Sequence, residues 1–123
     1  MTADRILDSE QTLVALVASS DFMAEIADTL AVRLQTARLA LPQFRAPDDD
    51  EDAFLQEKAY QDALQVQGNR LLPAMKVFSR MVNGCSPVMG GYLMTRLFAP
   101  PGTMTFLNFM IQHTDIKNLK DRL

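Results

Sequence analysis

Apolar side chains recur along this chain at steps of three and four residues, the spacing that places them on one face of an α-helix. No segment has the alternating or β-branched pattern that is typical of a β-strand. The clearest helical face consists of Phe22, Ile26, Leu30, Leu34, Ala37 and Leu41. The pattern therefore predicts an all-α protein, a compact bundle of five or six short helices.

Two helices are predicted in the first third of the chain. The first covers residues 4–18 or 9–18. Ser19 and Ser20 follow it, and a short oxygen side chain can accept a hydrogen bond from the free N–H groups at the start of a second helix. Pro42 ends that second helix, because proline lacks an N–H donor and disfavours helical backbone in the residue before it.

Two further helices, separated by an interruption, are predicted in the middle of the chain. Asp48 and Glu51 have the spacing of a capping box at the start of the first. Its predicted buried stripe consists of Leu55, Ala59, Ala63 and Val66. Gly68 is expected to interrupt the helix, and Pro73 is expected in the first turn of the next one, where a missing N–H costs little.

Glycine and proline also divide the last third of the chain. Residues 83–84, an Asn-Gly pair, predict a left-handed C-cap. Ser86 is the predicted N-cap of a helix that runs to Phe98. Residues 100–102, Pro-Pro-Gly, end it, and residues 103–123 are predicted to form one bent helix or two short ones.

The size and composition of the chain fit one folded unit. At 123 residues, with 48% apolar and 22% charged residues, the chain has enough apolar surface to fold around a single core. We expect residues 1–123 to form a single helical domain. Its acidic first half (1–62) and its basic, methionine-rich second half (63–123) differ sharply in composition.

The chain carries no sequence signal for export or for a membrane. Cys85 is the only cysteine, so no internal disulfide can form, which fits a reducing compartment. The N-terminal segment lacks the basic region of a signal peptide, and its apolar run, residues 13–18, is too short for one. The uncharged stretch 97–114 contains Pro100 and Pro101, so it is not a spanning helix. We expect a cytoplasmic protein.

Charge divides the sequence into two halves. Residues 1–62 contain 13 acidic and 5 basic side chains, a net charge of −8, and residues 63–123 contain 2 and 7, a net charge of +5. No acidic residue lies between Asp62 and Asp115. Such asymmetry indicates that the protein binds a polyanion, binds an acidic partner or associates with itself.

Six of the eight methionines lie in the second half. Methionine fills irregular cores, and it also lines adaptable grooves that receive an apolar helix of a partner. In the second interpretation, the candidate partner-binding residues are Met75, Met81, Met89 and Met94. The alternative candidates are cations that could contact a phosphate backbone, namely Arg70, Lys76, Arg80 and Arg96.

The sequence predicts no catalytic, cofactor or metal site. Residues 48–52 match the first three ligands of a calcium-binding loop, but Ala53 and Ala59 replace the required glycine and glutamate. Cys85 and His113 are the only thiol and imidazole, and no oxyanion donor or orienting carboxylate accompanies them.

These observations favour a non-enzymatic helical interaction subunit or adaptor in a multi-protein assembly, which binds a partner through an apolar, methionine-rich surface. The alternative is a small helical subunit of a nucleoprotein complex that contacts a phosphate backbone through the basic second half. The sequence pI of about 5.0 and the absence of tryptophan oppose unaided binding of nucleic acid.

Overall fold

The structure, a computed structural model, describes residues 2–9, 19–117 and 119. In this part of the chain all regular structure is helical and no β-strand is present, so the predicted all-α class is confirmed. The elements are α1 (Ala3–Leu7), α2 (Ser20–Leu39), α3 (Asp50–Asn83), α4 (Pro87–Phe98), a 3-10 helix (Thr103–Phe106) and α5 (Leu107–His113).

Helix α2 lies at the centre of the fold and contacts α1, α3, α4 and the 3-10 helix. Its predicted apolar face is the face that the structure buries, with Ile26, Leu30 and Leu34 fully excluded from solvent. Phe22 is half-buried against the same cluster, and Leu41 is buried just beyond the end of the helix. The three- and four-residue spacing identified this face because a helix with one apolar stripe must bury it against other elements.

Two predicted N-caps are confirmed, and Gly84 is the C-cap of α3 as predicted, but its predicted left-handed conformation is wrong. Ser19 Oγ accepts a hydrogen bond from the N–H of Phe22 at 3.2 Å, and Ser86 Oγ accepts one from the N–H of Met89 at 3.2 Å. Gly84 has φ −83°, which is right-handed. Its N–H donates back to carbonyls of the last turn of α3, so the helix ends without a left-handed residue.

Helix α1 is shorter than the first predicted helix and ends at Leu7. Residues 10–18, which carry the rest of that prediction, lie outside the described residues. Arg33 of α2 holds α1 in position by donating hydrogen bonds to the carboxylates of Asp4 at 2.7 Å and Asp8 at 2.8 Å.

The two helices predicted in the middle of the chain are one helix, α3, of 34 residues. Gly68 does not interrupt it. This glycine is buried against the ring of Phe109, and an added Cβ would lie 2.5 Å from Phe109 Cε2. Pro73 lies inside the helix and is exposed. Glycine therefore allows close packing here, and burial of the following turns keeps the helix continuous past the proline.

The first half of α3 has no buried residue. All buried residues of α3 lie at Gly68 or beyond, although the structure describes every position of 50–67. Leu55 is 52% exposed and Val66 is 50% exposed. Ala59 is also exposed, and Ala63 is half-buried. The prediction of a buried stripe is wrong for Leu55, Ala59 and Val66, because the buried residues of α3 lie in its second half. Among the described residues, the first half contacts the core only through the partly buried Tyr60, Ala63 and Leu64.

The N-cap of α3 lies one residue later than the predicted capping box places it. Asp49, rather than Asp48, is the N-cap, and its Oδ1 accepts a hydrogen bond from the N–H of Asp52 at 2.7 Å. Asp52 reaches back to accept the N–H of Asp48 at 2.9 Å. The acidic run 48–52 allows either Asp48 or Asp49 to be the N-cap of α3. The contact of Asp52 with Arg45 favours Asp49.

The uncharged stretch 97–114 is divided among the end of α4, the 3-10 helix and α5. Within residues 103–123, predicted as one bent helix or two short ones, the structure has the 3-10 helix and α5, and Leu119 is helical and buried. Residues 118 and 120–123 lie outside the described residues. No helix within the described ranges is both long enough and apolar enough to cross a membrane.

Replacing Pro73 with alanine is expected to raise the free energy of unfolding by about 1–2 kcal/mol. A proline inside a helix costs about 3 kcal/mol relative to alanine, and the greater freedom of the unfolded variant chain offsets part of the gain. Urea denaturation measures the change. The control is Pro47→Ala in the extended connector, which should not stabilise the protein. A loss of stability in Pro73→Ala would contradict a continuous α3.

Gly68→Ala is expected to lower the free energy of unfolding by about 1–3 kcal/mol, although alanine is the better helix former. The new methyl group would overlap the Phe109 ring. The same substitution in a Phe109→Leu background should cost less, since leucine lacks the distal ring atoms. A double-mutant cycle by urea denaturation measures this coupling. Stabilisation by Gly68→Ala alone would show that the ring does not pack there.

Candidate interaction surface

Helix α3 presents one continuous line of exposed residues, which we call the outer stripe. Its successive members are three or four residues apart, so they lie on one side of the helix. The stripe consists of Glu51, Leu55, Ala59, Asp62, Val66, Asn69, Pro73, Lys76 and Arg80, all of them exposed. At 1.5 Å per residue, the helix that carries it is about 51 Å long.

The connector between α2 and α3 covers a different side of α3. The backbone N–H of Arg45 donates to Gln56 Oε1 at 2.9 Å, and the ring of Phe44 lies 5.1 Å from that of Tyr60. Arg45 also donates through both terminal nitrogens to the Asp52 carboxylate, at 2.7 Å each. Because Asp52, Gln56 and Tyr60 follow one another at four-residue steps, they form a line of their own, and the connector does not cover the outer stripe.

The Arg45–Asp52 contact also changes the ionisation of the carboxyl group. The Arg45 guanidinium, and secondly the N–H of Asp48, hold the pKa of Asp52 below its usual value. Both donors favour the charged form of the carboxyl group. The connector is thus held to α3 by a charged contact that persists throughout the neutral range.

The outer stripe interleaves acidic residues (Glu51 and Asp62) with apolar ones in its first half, and it carries basic residues (Lys76 and Arg80) near its other end. Residues 50–66 contain five acidic side chains and one lysine, a net charge of −4, and residues 67–83 contain three cations and no acid, a net charge of +3. Asp62 accepts a hydrogen bond from Lys58 at 2.7 Å, an exposed pair of the kind that contributes little to stability. The charge asymmetry of the sequence is therefore concentrated along a single helix.

Three of the four predicted phosphate-contacting residues lie on α3, where Arg70, Lys76 and Arg80 are exposed. The structure brings Lys76 and Arg80 together at a shallow, open hollow of about 350 Å³. The described residues that line it are Asn69, Leu72, Pro73, Lys76 and Arg80.

Arg96 belongs to a different environment, on α4. Its Nε donates to Asp28 Oδ1 at 2.7 Å, its Nη2 donates to Asp28 Oδ2 at 2.8 Å, and its Nη1 donates to the Tyr92 hydroxyl at 3.0 Å. These contacts, chiefly the hydrogen bonds to Asp28, raise the pKa of Arg96 above its usual value. Arg96 therefore links α4 to α2 through a carboxylate that offsets its charge.

The predicted methionine-rich surface is largely inside the protein. Met75 and Met94 are 0% exposed and Met81 is 2% exposed, while Met89 is half-buried against the core. The structure therefore corrects the assignment of Met75, Met81 and Met94 as surface residues. Both α3 methionines lie on the side of the helix that faces the core, where a flexible thioether fills irregular space.

The remaining candidates for chemistry lie in separate surroundings. Cys85 is half-buried, with its Sγ 3.6 Å from Met23 Sδ. His113 is exposed and its ring lies 4.2 Å from the Phe109 ring. Among the described residues, no three or more His, Cys, Asp or Glu side chains are grouped so as to hold a metal ion.

Sequence reasoning missed the exposure of Leu55 and Val66. A signal was present, because Glu51 and Asp62 occupy the same side of α3 as these apolar residues. A stripe that faces a domain core excludes charge, whereas a stripe at an interface can interleave apolar and charged positions.

Comparison of the chain with protein-family models, curated proteins and solved structures finds no match in any of the three. The outer stripe is therefore interpreted from its own residues and contacts.

Arg45→Gln is expected to raise the pKa of Asp52 toward that of an unperturbed aspartate, and an NMR pH titration of the side-chain carboxyl measures it. Since the folded-state pKa is lowered, the contact stabilises the protein above the unfolded pKa and is lost as pH falls through the folded pKa. Wild-type protein should thus lose more stability on acidification than Arg45→Gln. Arg70→Gln is the control and should leave Asp52 unchanged; an unaltered Asp52 titration in Arg45→Gln would disprove the assignment.

Proposed function

We propose that this protein is a non-enzymatic helical interaction subunit that binds another protein through the outer stripe of α3. The observation that supports this most is the first half of α3, in which no described residue is buried and Leu55 and Val66 are about half exposed. A long amphipathic helix normally gains its stability from packing its apolar stripe. A partner that covers the stripe would supply that packing.

The apolar centre of the stripe has the features of an interface. Full burial of one leucine or valine side chain contributes about 1.5–3 kcal/mol, so Leu55 and Val66 together offer a substantial part of a binding free energy. The charged residues of the stripe, Glu51, Asp62, Lys76 and Arg80, would select the partner's orientation. The proposed surface thus replaces the methionines with Leu55, Ala59 and Val66 as the apolar contacts.

The charges of the stripe favour a protein partner over a nucleic acid. A phosphate backbone along α3 would be attracted by Lys76 and Arg80 but repelled by the net charge of −4 over residues 50–66. Arg96, paired with Asp28, adds little positive charge elsewhere. The alternative function, a nucleoprotein subunit, is supported only by the exposed cations Arg70, Lys76 and Arg80, which lie on one half of one helix.

The proposed role requires no reaction, cofactor or metal. We place the protein in the cytoplasm, because the lone Cys85 fits a reducing compartment. The protein would serve in an assembly by holding a helical or grooved apolar surface of its partner, in the manner of helix packing between domains.

Val66→Asp is expected to abolish the association without unfolding the protein, since it places a charge at the centre of the apolar contact. Val88→Asp is the matched control, because Val88 is 85% exposed on α4, away from the stripe. Tagged wild-type and variant proteins are used for affinity capture from the native host, with quantitative mass spectrometry and a nucleic-acid stain.

The expected result is a set of proteins retained by wild type and Val88→Asp and depleted by at least about tenfold with Val66→Asp, a loss of ~1.4 kcal/mol in binding. Circular dichroism should be the same for all three proteins. Equal capture by Val66→Asp and Val88→Asp would reject the outer stripe as the binding surface. Captured nucleic acid that is lost in Lys76→Glu would instead favour the nucleoprotein alternative.

A further inference from the structure

The outer stripe of α3 is complementary to itself when it is reversed. Read from the start of the helix, the acidic residues Glu51 and Asp62 alternate with apolar ones as far as Val66, and the basic residues Lys76 and Arg80 follow in the second half. We propose that its occupant is a second copy of this chain, whose α3 packs antiparallel on the first around a two-fold axis. This inference rests on the proposed function and names the partner.

The position of the apolar residues fits such an axis. The midpoint of Asp50–Asn83 falls between residues 66 and 67, so full antiparallel overlap places Val66 close to Val66 of the second copy. Ala59 then lies level with the turn that carries Pro73 of the second copy. Small and medium-sized side chains at this crossing allow the two helices to approach at the usual separation of packed helices, about 8–10 Å.

The opposite charges of the two outer stripes then lie on facing halves of the helices. In the antiparallel arrangement, Glu51 and Asp62 of each stripe lie along the half of the other α3 that carries Lys76 and Arg80. Glu51 comes level with the last turn of the second copy's α3, next to Arg80, and Leu55 comes level with the turn between Lys76 and Arg80. A parallel pair would set acid against acid and base against base, and interfaces that juxtapose like charges are disfavoured. Charge therefore selects the antiparallel orientation.

The fold leaves room for this pairing. The core lies against the second half of α3 on the side opposite the outer stripe, as the burial of Met75, Phe78 and Val82 shows. The connector, fastened by Arg45 to Asp52, covers a third side. In a two-fold pair the cores therefore lie at opposite ends and on opposite faces of the two helices, which is the geometry of an isologous interface.

Two complementary charge reversals test the arrangement. One variant carries Glu51→Lys and Asp62→Lys, which makes the whole stripe basic; the other carries Lys76→Glu and Arg80→Glu, which makes it acidic. All four residues are exposed, so folding should persist, and circular dichroism checks this. Sedimentation velocity over a concentration series, at low and high salt, measures association of the untagged protein.

We expect wild-type protein to form a dimer, and each variant alone to associate more weakly by on the order of tenfold or more. An equimolar mixture of the two variants should restore a dimer that contains one copy of each, because both contacts are again between opposite charges. Val66→Asp should be monomeric, and Val88→Asp should match wild type.

Other results would overturn the proposal. Wild-type protein that stays monomeric, or a mixture that does not associate more tightly than either variant alone, excludes antiparallel pairing of α3. If in that case Val66→Asp still loses its captured partner, the stripe binds a different protein and the proposed function stands. If Val66→Asp changes neither self-association nor capture, both proposals fail. Oligonucleotide binding by monomeric wild type that is lost only in the acidic variant identifies a phosphate backbone as the occupant.

Discussion

The apolar contact between the second half of α3 and the rest of the core is the interaction on which the other features of the molecule depend. Phe78 and Val82 are fully buried there, and Gly68 lets the Phe109 ring approach the helix backbone at the point where burial begins. Because a helix propagates cooperatively from a packed segment, this packing keeps α3 helical at Pro73 and in the exposed turns before it. The outer stripe is exposed along its length because the core buries residues only in the second half of α3, on another side of the helix.

Charged contacts position the surrounding elements rather than form the core. Arg33 holds α1 against α2, Arg45 holds the connector against α3, and Arg96 links α4 to α2. Each involves exposed or half-exposed side chains, so its contribution to stability is small and its effect is mainly on geometry. The Arg45 contact bears most directly on the proposed binding surface, since it holds the connector to a side of α3 other than the outer stripe.

Several predictions failed for a common reason, which is that periodicity identifies a stripe but not what covers it. Leu55 and Val66 have the spacing of buried residues and are exposed, whereas Met75 and Met94 were candidates for a surface and are in the core. Gly68 has the local chemistry of a helix break and instead serves close packing. In each case the deciding factor is a neighbour distant in sequence, and a single sequence does not reveal which neighbour is present.

The sequence by itself determined the helical class, the inner face of α2, the N-caps at Ser19 and Ser86, and the separation of charge between the two halves of the chain. These are local or compositional properties, set by side-chain spacing, by short oxygen side chains at helix starts and by counts of charged residues. Only the tertiary structure decided that α3 is a single helix, that its first half contains no buried residue, and that Arg96 is paired with Asp28. Those features depend on packing between segments far apart in the chain, where burial overrides the local preference of a glycine or a proline.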